Sequence, residues 1–247
     1  MRLKKSRKSA FSGLLWWSLL RHKFYIPVFV IVQLILSMAI IYGFSFITNA
    51  SNELERSFLC TGATTMNIVA VTCVLSPQIV SESKQSGVLD YQQTLPINRV
   101  GILLSDLIIW GGVALPGILV CLVIGAMSFH LDIFTGILEI LSLLFVITSL
   151  IFLGFAIAYL FPANMMTLMT QLIMMGGLLF SPIIYPADRL PRWMGAFYNF
   201  LPFVPVSEII RSSLFHLTPF NLRNYFIVFI WGCIGFLVSL YVITKRK

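Results

Sequence analysis

Charge is scarce in this chain of 247 residues: Asp, Glu, Lys and Arg together make up 11% of it, and only nine residues are acidic. A soluble domain cannot be clothed with so little charge when 58% of the residues are hydrophobic and the mean hydropathy is +0.93. The bilayer is therefore the solvent. The three histidines, His22, His130 and His216, fall near three different interfaces, far apart in sequence. HExxH and GxSxG are absent, so neither a metal centre nor a nucleophile with its base can be assembled, and no catalytic residue or metal ligand is expected. A GxxxxGK[ST] phosphate loop is also absent, so the polypeptide does not hold ATP in the common way. Cys60, Cys73, Cys121 and Cys233 lie in or beside apolar runs without a CxxC pair and read as small buried hydrophobes. Ionisable residues are missing from the middle of every apolar run. Asp106 is expected to be shallow and solvated at an interface and Glu139 to lie near the end of its run, which deprives an ion-coupled transporter of its usual relay.

What is present is length. Six stretches, approximately 24–47, 58–80, 100–129, 136–160, 164–184 and 225–243, are each about twenty residues or more and can span a bilayer. The expected fold is an all-α polytopic membrane protein forming one transmembrane domain over 1–247, with the third span tilting or breaking at Pro116. The net charge of +8 does not call for nucleic acid, because the basic residues gather at the termini and in short loops. Six spans put both termini on one side together with twelve Lys and Arg, against five on the other, so both termini are expected to be cytoplasmic. Four of the five on the far side, Arg189, Arg192, Arg211 and Arg223, crowd into one segment. The run Phe11–Leu20 is too short to span and stops at Arg21-His22-Lys23. With Trp16 and Trp17 it reads as a retained interfacial helix.

Uncharged polarity recurs at helical spacing. Gln33 and Ser37 follow i, i+4 in the first span. Thr61, Thr64, Thr65 and Asn67 enrich the second. In the fifth, Asn164, Thr167 and Gln171 lead into Met174 and Met175, with Met165, Met166 and Met169 beside them. Gln33, Ser37, Asn164, Thr167, Gln171, Met174 and Met175 are the candidate lining of a transport path or a subunit contact, the alternative being hydrogen bonding between neighbouring helices.

Two connectors are unusual. The loop 81–99, SESKQSGVLDYQQTLPINR, has a charged start, a break at Gly87, and Val88, Leu89, Tyr91 and Leu95 positioned to form a small apolar face before Pro96. The stretch Ser181–Arg211 carries Pro182, Pro186, Pro191, Pro202 and Pro205, five of the chain's eleven prolines, so no single helix runs through it. Leu190–Phe200, with Trp193, and Pro205–Phe215 remain as short amphipathic helices. The second is expected to put Val206, Ile209, Ile210 and Leu214 on one face and Ser207, Glu208, Arg211 and Ser212 on the other, with Arg189, Arg192 and Arg211 at headgroup level.

Glu82, Lys84, Gly87, Leu95-Pro96-Ile97 and Arg99 resemble the segment E-x-[KR]-x-x-G-x-x-[DE] followed by P-[IL]-x-R in membrane subunits of ABC type-2 exporters. The stretch Ser181–Arg211 is similar to that family's outer re-entrant hairpin, here 185–216, with an LP-x-W step and an acidic-x-x-Arg close at Glu208 and Arg211. Both matches fall in the family's order, and the resemblance extends over essentially the whole chain. It implies an export permease for a hydrophobic or amphiphilic cargo in the bacterial cytoplasmic membrane. Two such subunits, identical or related, would work with two ATP-binding subunits, which hold the ATP and Mg. Glu82, Lys84, Gly87, Val88, Leu89, Tyr91, Leu95, Pro96 and Arg99 would form the helix that couples to the ATPase. Pro186, Pro191, Trp193, Pro202, Pro205, Glu208 and Arg211 would shape the outer hairpin. The first and fifth spans would form the subunit contact and pathway wall. Gln92-Gln93-Thr94 and Asp106 depart from the pattern. The competing reading is an ATP-independent channel or secondary transporter that depends on Asp106 or Glu139.

Overall fold

Apolar segments that meet no water must satisfy their backbone groups internally, and every regular element among the described residues is a helix. The structure is a computed structural model and describes residues 2–48, 53–94, 98–129, 133–134, 136–176, 181–184 and 191–245. Helix α1 covers Arg2–His22; α2, Tyr25–Met38, continues through a π turn at Ala39–Gly43 into α3, Phe44–Thr48. Helix α4, Glu53–Val69, passes through a second π segment, Ala70–Leu75, into α5, Ser76–Gln85. Then follow α6, Val88–Thr94; α7, Arg99–Phe129; α8, Ile137–Leu160; α9, Ala163–Met175; α10, Arg192–Phe200; α11, Phe203–Leu214; and α12, Leu222–Lys245.

Five of these stretches are long and apolar enough to cross a membrane: Tyr25–Phe46, Glu55–Gln85, Arg99–Met127, Ile137–Leu160 and Leu222–Lys245. The expected span over 164–184 is described only in part, as the thirteen-residue α9 and a buried turn at 181–184. The α4–α5 stretch is the central one. It is enclosed by α2, α7, α8 and α11, whereas α2 and α12 leave broad faces uncovered through residues such as Ile31, Ile35, Phe229 and Leu237. Helices α8 and α12 pack backbone to backbone: a Cβ on Gly235 would lie 2.6 Å from the amide nitrogen of Leu153, so only glycine admits this approach.

Pro116 does not break α7; the helix runs through it. Proline lacks an N–H, and its ring spoils the hydrogen-bond ladder of the preceding turn. Here the side-chain amide of Gln33 is inserted into that ladder. Its Nε2 donates to the Val113 carbonyl at 2.9 Å, and its Oε1 accepts from the Gly117 N–H at 3.0 Å, a pair that would otherwise bond to each other. Ser37 donates to the Gln33 carbonyl at 2.7 Å, and Asn67 donates to Ser37 Oγ at 2.9 Å, so α2, α4 and α7 meet in one buried polar knot.

Candidate functional site

The bundle has two polar ends and a polar middle. At one end α1 docks on α7 through Leu14, Ser18 and His22, spaced i, i+4, i+8, all buried. Ser18 donates to Asp106 Oδ1 at 3.1 Å, and Asp106 is buried, not solvated as its shallow position implies, because α1 lies over it. His22 Nδ1 faces the Ser18 carbonyl at 2.8 Å and must carry the proton to donate. That leaves Nε2 as acceptor toward Arg21 Nη2 at 3.3 Å. Burial, then the neighbouring Arg21 charge, push the His22 pKa down to about 4, against the opposing hydrogen bond to Ser18. Burial likewise lowers the Arg21 pKa while Asp106 opposes it, and Arg21 Nε and Nη1 are enclosed without a hydrogen-bond partner among the described residues.

The connector from α5 to α7 sits against this end. Tyr25 Oη donates to the Glu82 carboxylate at 3.4 Å. Lys84 Nζ donates to the carbonyls of Tyr159 and Phe161 at 3.1 Å each, closing the C-terminus of α8, where a cation meets both unpaired carbonyls and the negative end of the helix. Gly87 has φ +73°, a left-handed conformation that an L side chain resists even though the space around it is open. The chain thereby reverses into α6. The expected apolar face of α6 is only partly buried: Leu89 and Gln92 are inside, Val88 is half-buried, and Tyr91 is 59% exposed. Arg99 is half-buried at the start of α7, while Leu95 and Pro96 lie outside the described residues.

In the middle, Gln33 and Ser37 do not line a path or an outer face. Their side chains are consumed between α2, α4 and α7 of the same chain, because repairing α7 at Pro116 requires a buried amide. Asn164, Thr167, Gln171 and Met175 do face outward from α9, Met174 partly so, and the helix is held by buried Met166 and by Thr170, which accepts from Gln78 Nε2 at 3.0 Å.

At the opposite end, α10 begins at Arg192 after Pro191, an exposed residue with the extended backbone suited to a helix start. Trp193 projects outward, 70% exposed. Helix α11 begins at Phe203 and tolerates Pro205 in its first turn, where the missing N–H would have no partner. Pro202 precedes it and is buried; Pro186 lies outside the described residues. Arg211 does not face outward. It is 1% exposed, because α11 turns Ser207 and Arg211 inward against α4. Its guanidinium pairs with Glu208 at 2.5 Å, donates to Thr61 Oγ1 at 3.3 Å and to the Ile183 carbonyl, and lies 4.1 Å above the Phe58 ring. Close by, Glu139 and His216 approach to 3.7 Å, joining the start of α8 to the segment after α11.

Sequence reasoning missed Ser18, Arg21, His22, Thr61 and Phe58 as partners. Only the i, i+4 spacing of Ser18 with His22 and of Ser57 with Thr61 offered a signal. No three His, Cys, Asp or Glu among the described residues are placed to hold a metal. Residues 14–215 match the model of a family described as ABC-2 type transporter. No curated protein matches the chain.

Proposed function

The chain belongs to the ABC-2 type transporter family, as its permease component and not as its ATPase, and we propose that it drives export on ATP hydrolysed by a separate subunit. Permeases of this family generally partner with an ATP-binding subunit. The observation that carries the proposal is the loop between the second and third spans. A short helix, α6, is reversed by Gly87 and anchored through Leu89 and Gln92, with Asp90, Tyr91 and Thr94 turned out to solvent. Lys84 fastens the same loop to the end of α8, so a push on α6 is delivered to two spans at once. In this reading two copies of the ATPase serve two permeases, identical or related, in a bacterial cytoplasmic membrane, with both termini and α6 on the cytoplasmic side. The excess of basic residues at that end supports the orientation. The outward-facing stripe Asn164, Thr167, Gln171 and Met175 is the proposed contact or pathway wall, and α10–α11 the re-entrant hairpin at the exit. The paucity of charge favours a hydrophobic or amphiphilic cargo.

The test uses the chain co-expressed with its ATP-binding partner. Proline cannot adopt the positive φ of Gly87, and Glu82→Arg reverses the charge facing Tyr25. Gly87→Pro or Glu82→Arg is expected to detach the ATPase or abolish cargo-stimulated hydrolysis while membrane insertion persists. Full co-purification and full stimulated hydrolysis in both variants would refute the coupling role. Transport by the chain alone, lost in Asp106→Asn, would instead establish a secondary transporter.

A further inference from the structure

Beside the buried Arg211 lies an open cavity of about 460 Å³ lined together by the end of α10, α11, the start of α4 and the start of α12. This is within the range of small-ligand sites. Its polar lining comes from Arg223, Asn221 and Asn224 at the start of α12, Asn199 at the end of α10, Thr218, and the Glu208–Arg211 pair. Phe58 and Ile227 supply an apolar wall.

The charges in this cavity do not balance. Glu208 is committed to Arg211 at 2.5 Å, so the pair is neutral. Arg223 stands in the first turn of α12, which contains no acid. A cation there meets the positive end of the helix, a placement the macrodipole disfavours. Its main-chain N–H is taken by Asn221 Oδ1 at 3.0 Å, while its guanidinium, exposed at the mouth of the cavity, has no hydrogen-bond or ion-pair partner among the described residues. Thr218 Oγ1 is enclosed and likewise without a partner. One uncompensated guanidinium, an unused hydroxyl and three side-chain amides around a cavity with an aromatic wall fit one ligand chemistry. It is a phosphate monoanion flanked by hydroxyls, with an apolar tail leaving along the wall.

We propose that this cavity binds the phosphate-bearing, hydroxyl-rich headgroup of an amphiphile, with Arg223 taking the phosphate and the asparagine amides and Glu208 engaging the hydroxyls. The proposal adds a ligand class to the hairpin end and rests on the hairpin geometry, not on the direction of transport. Binding is therefore measured independently of the ATPase, and its failure leaves the coupling experiment untouched.

The full chain, purified in a neutral detergent, is titrated with short-chain phosphatidylglycerol, short-chain phosphatidylcholine and glycerol phosphate. Affinity is read by isothermal calorimetry and by retention in native mass spectrometry. Phosphatidylglycerol is expected to bind at least about tenfold more tightly than phosphatidylcholine, whose choline neutralises the phosphate and offers no hydroxyl. Arg223→Gln should lose about tenfold, Arg223→Lys should retain most of the affinity, and Asn221→Leu should fall between. If glycerol phosphate matches the lipid, the site is confirmed and its ligand is a water-soluble phosphate ester; if only the lipid binds, the ligand is membrane-borne. Equal affinity of phosphatidylglycerol and phosphatidylcholine, or unchanged affinity in Arg223→Gln with native helix content, would overturn the proposal.

Discussion

The two polar ends of the bundle solve the same problem differently. At the hairpin end, Arg211 is buried with a carboxylate, a carbonyl, a hydroxyl and an aromatic face around it, so its donors and its charge are answered. At the end beside α6, Asp106 receives a hydroxyl from Ser18, while Arg21 keeps two enclosed N–H groups without partners among the described residues. A fully answered buried charge holds its surroundings in one arrangement, because any movement strands it. A partly answered cluster leaves room for a second arrangement of similar energy. The end at α11 is thus the more fully paired of the two, and the end beside α6 keeps buried donors that its neighbours do not answer.

The largest effect that sharpens this contrast is expected from Arg211→Leu. It strands the Ile183 carbonyl and leaves Glu208 unpaired at a cost of about 2–4 kcal/mol, read as a lower apparent Tm in nanodiscs. Asp106→Asn keeps an acceptor for Ser18 and should cost under about 1 kcal/mol. Similar losses in the two variants would erase the distinction between the ends. Between these lies the middle of the bundle. Gln33→Leu uncovers the Val113 carbonyl and the Gly117 N–H around Pro116, and a loss of about 2 kcal/mol is expected, whereas Gln33→Glu, held protonated by burial, offers both an acceptor and an O–H donor and should recover part of it.

The smallest effect is local and concerns pH. His22 titrates near 6.5 when released and at about 4 when docked, so the released form binds more protons between these values. Docking of α1 is therefore fully supported above pH 6.5 and weakens as pH falls toward 4. Hydrogen exchange in α1 should rise across that window in the native chain and stay level in His22→Gln. A flat profile in both would mean that His22 does not control the docking of α1.

The membrane class and the places of five helices long and apolar enough to span follow from composition and from period alone. A twenty-residue apolar run has only one way to satisfy its backbone in lipid, and prolines mark where helices stop. Gly87 was legible for a similar local reason, since a turn between two short helices needs a residue that accepts positive φ. Pro116 shows the limit. Its sequence predicts a weakened helix, but the amide that repairs it comes from Gln33, more than eighty residues earlier, and no local pattern joins them. The same holds for Arg211. Amphipathic spacing placed it on the polar face of α11, and polar faces ordinarily turn to water; only the packing of α11 on α4 turned that face inward to Thr61 and Phe58.

By itself, then, the sequence determined what the bilayer dictates residue by residue: the helical class, the five long apolar helices, the turn at Gly87 and the basic end. The tertiary structure alone decided which polar groups answer one another, because in a medium without water each buried donor must find its acceptor in another helix, and that partner is chosen by packing between segments distant in the chain.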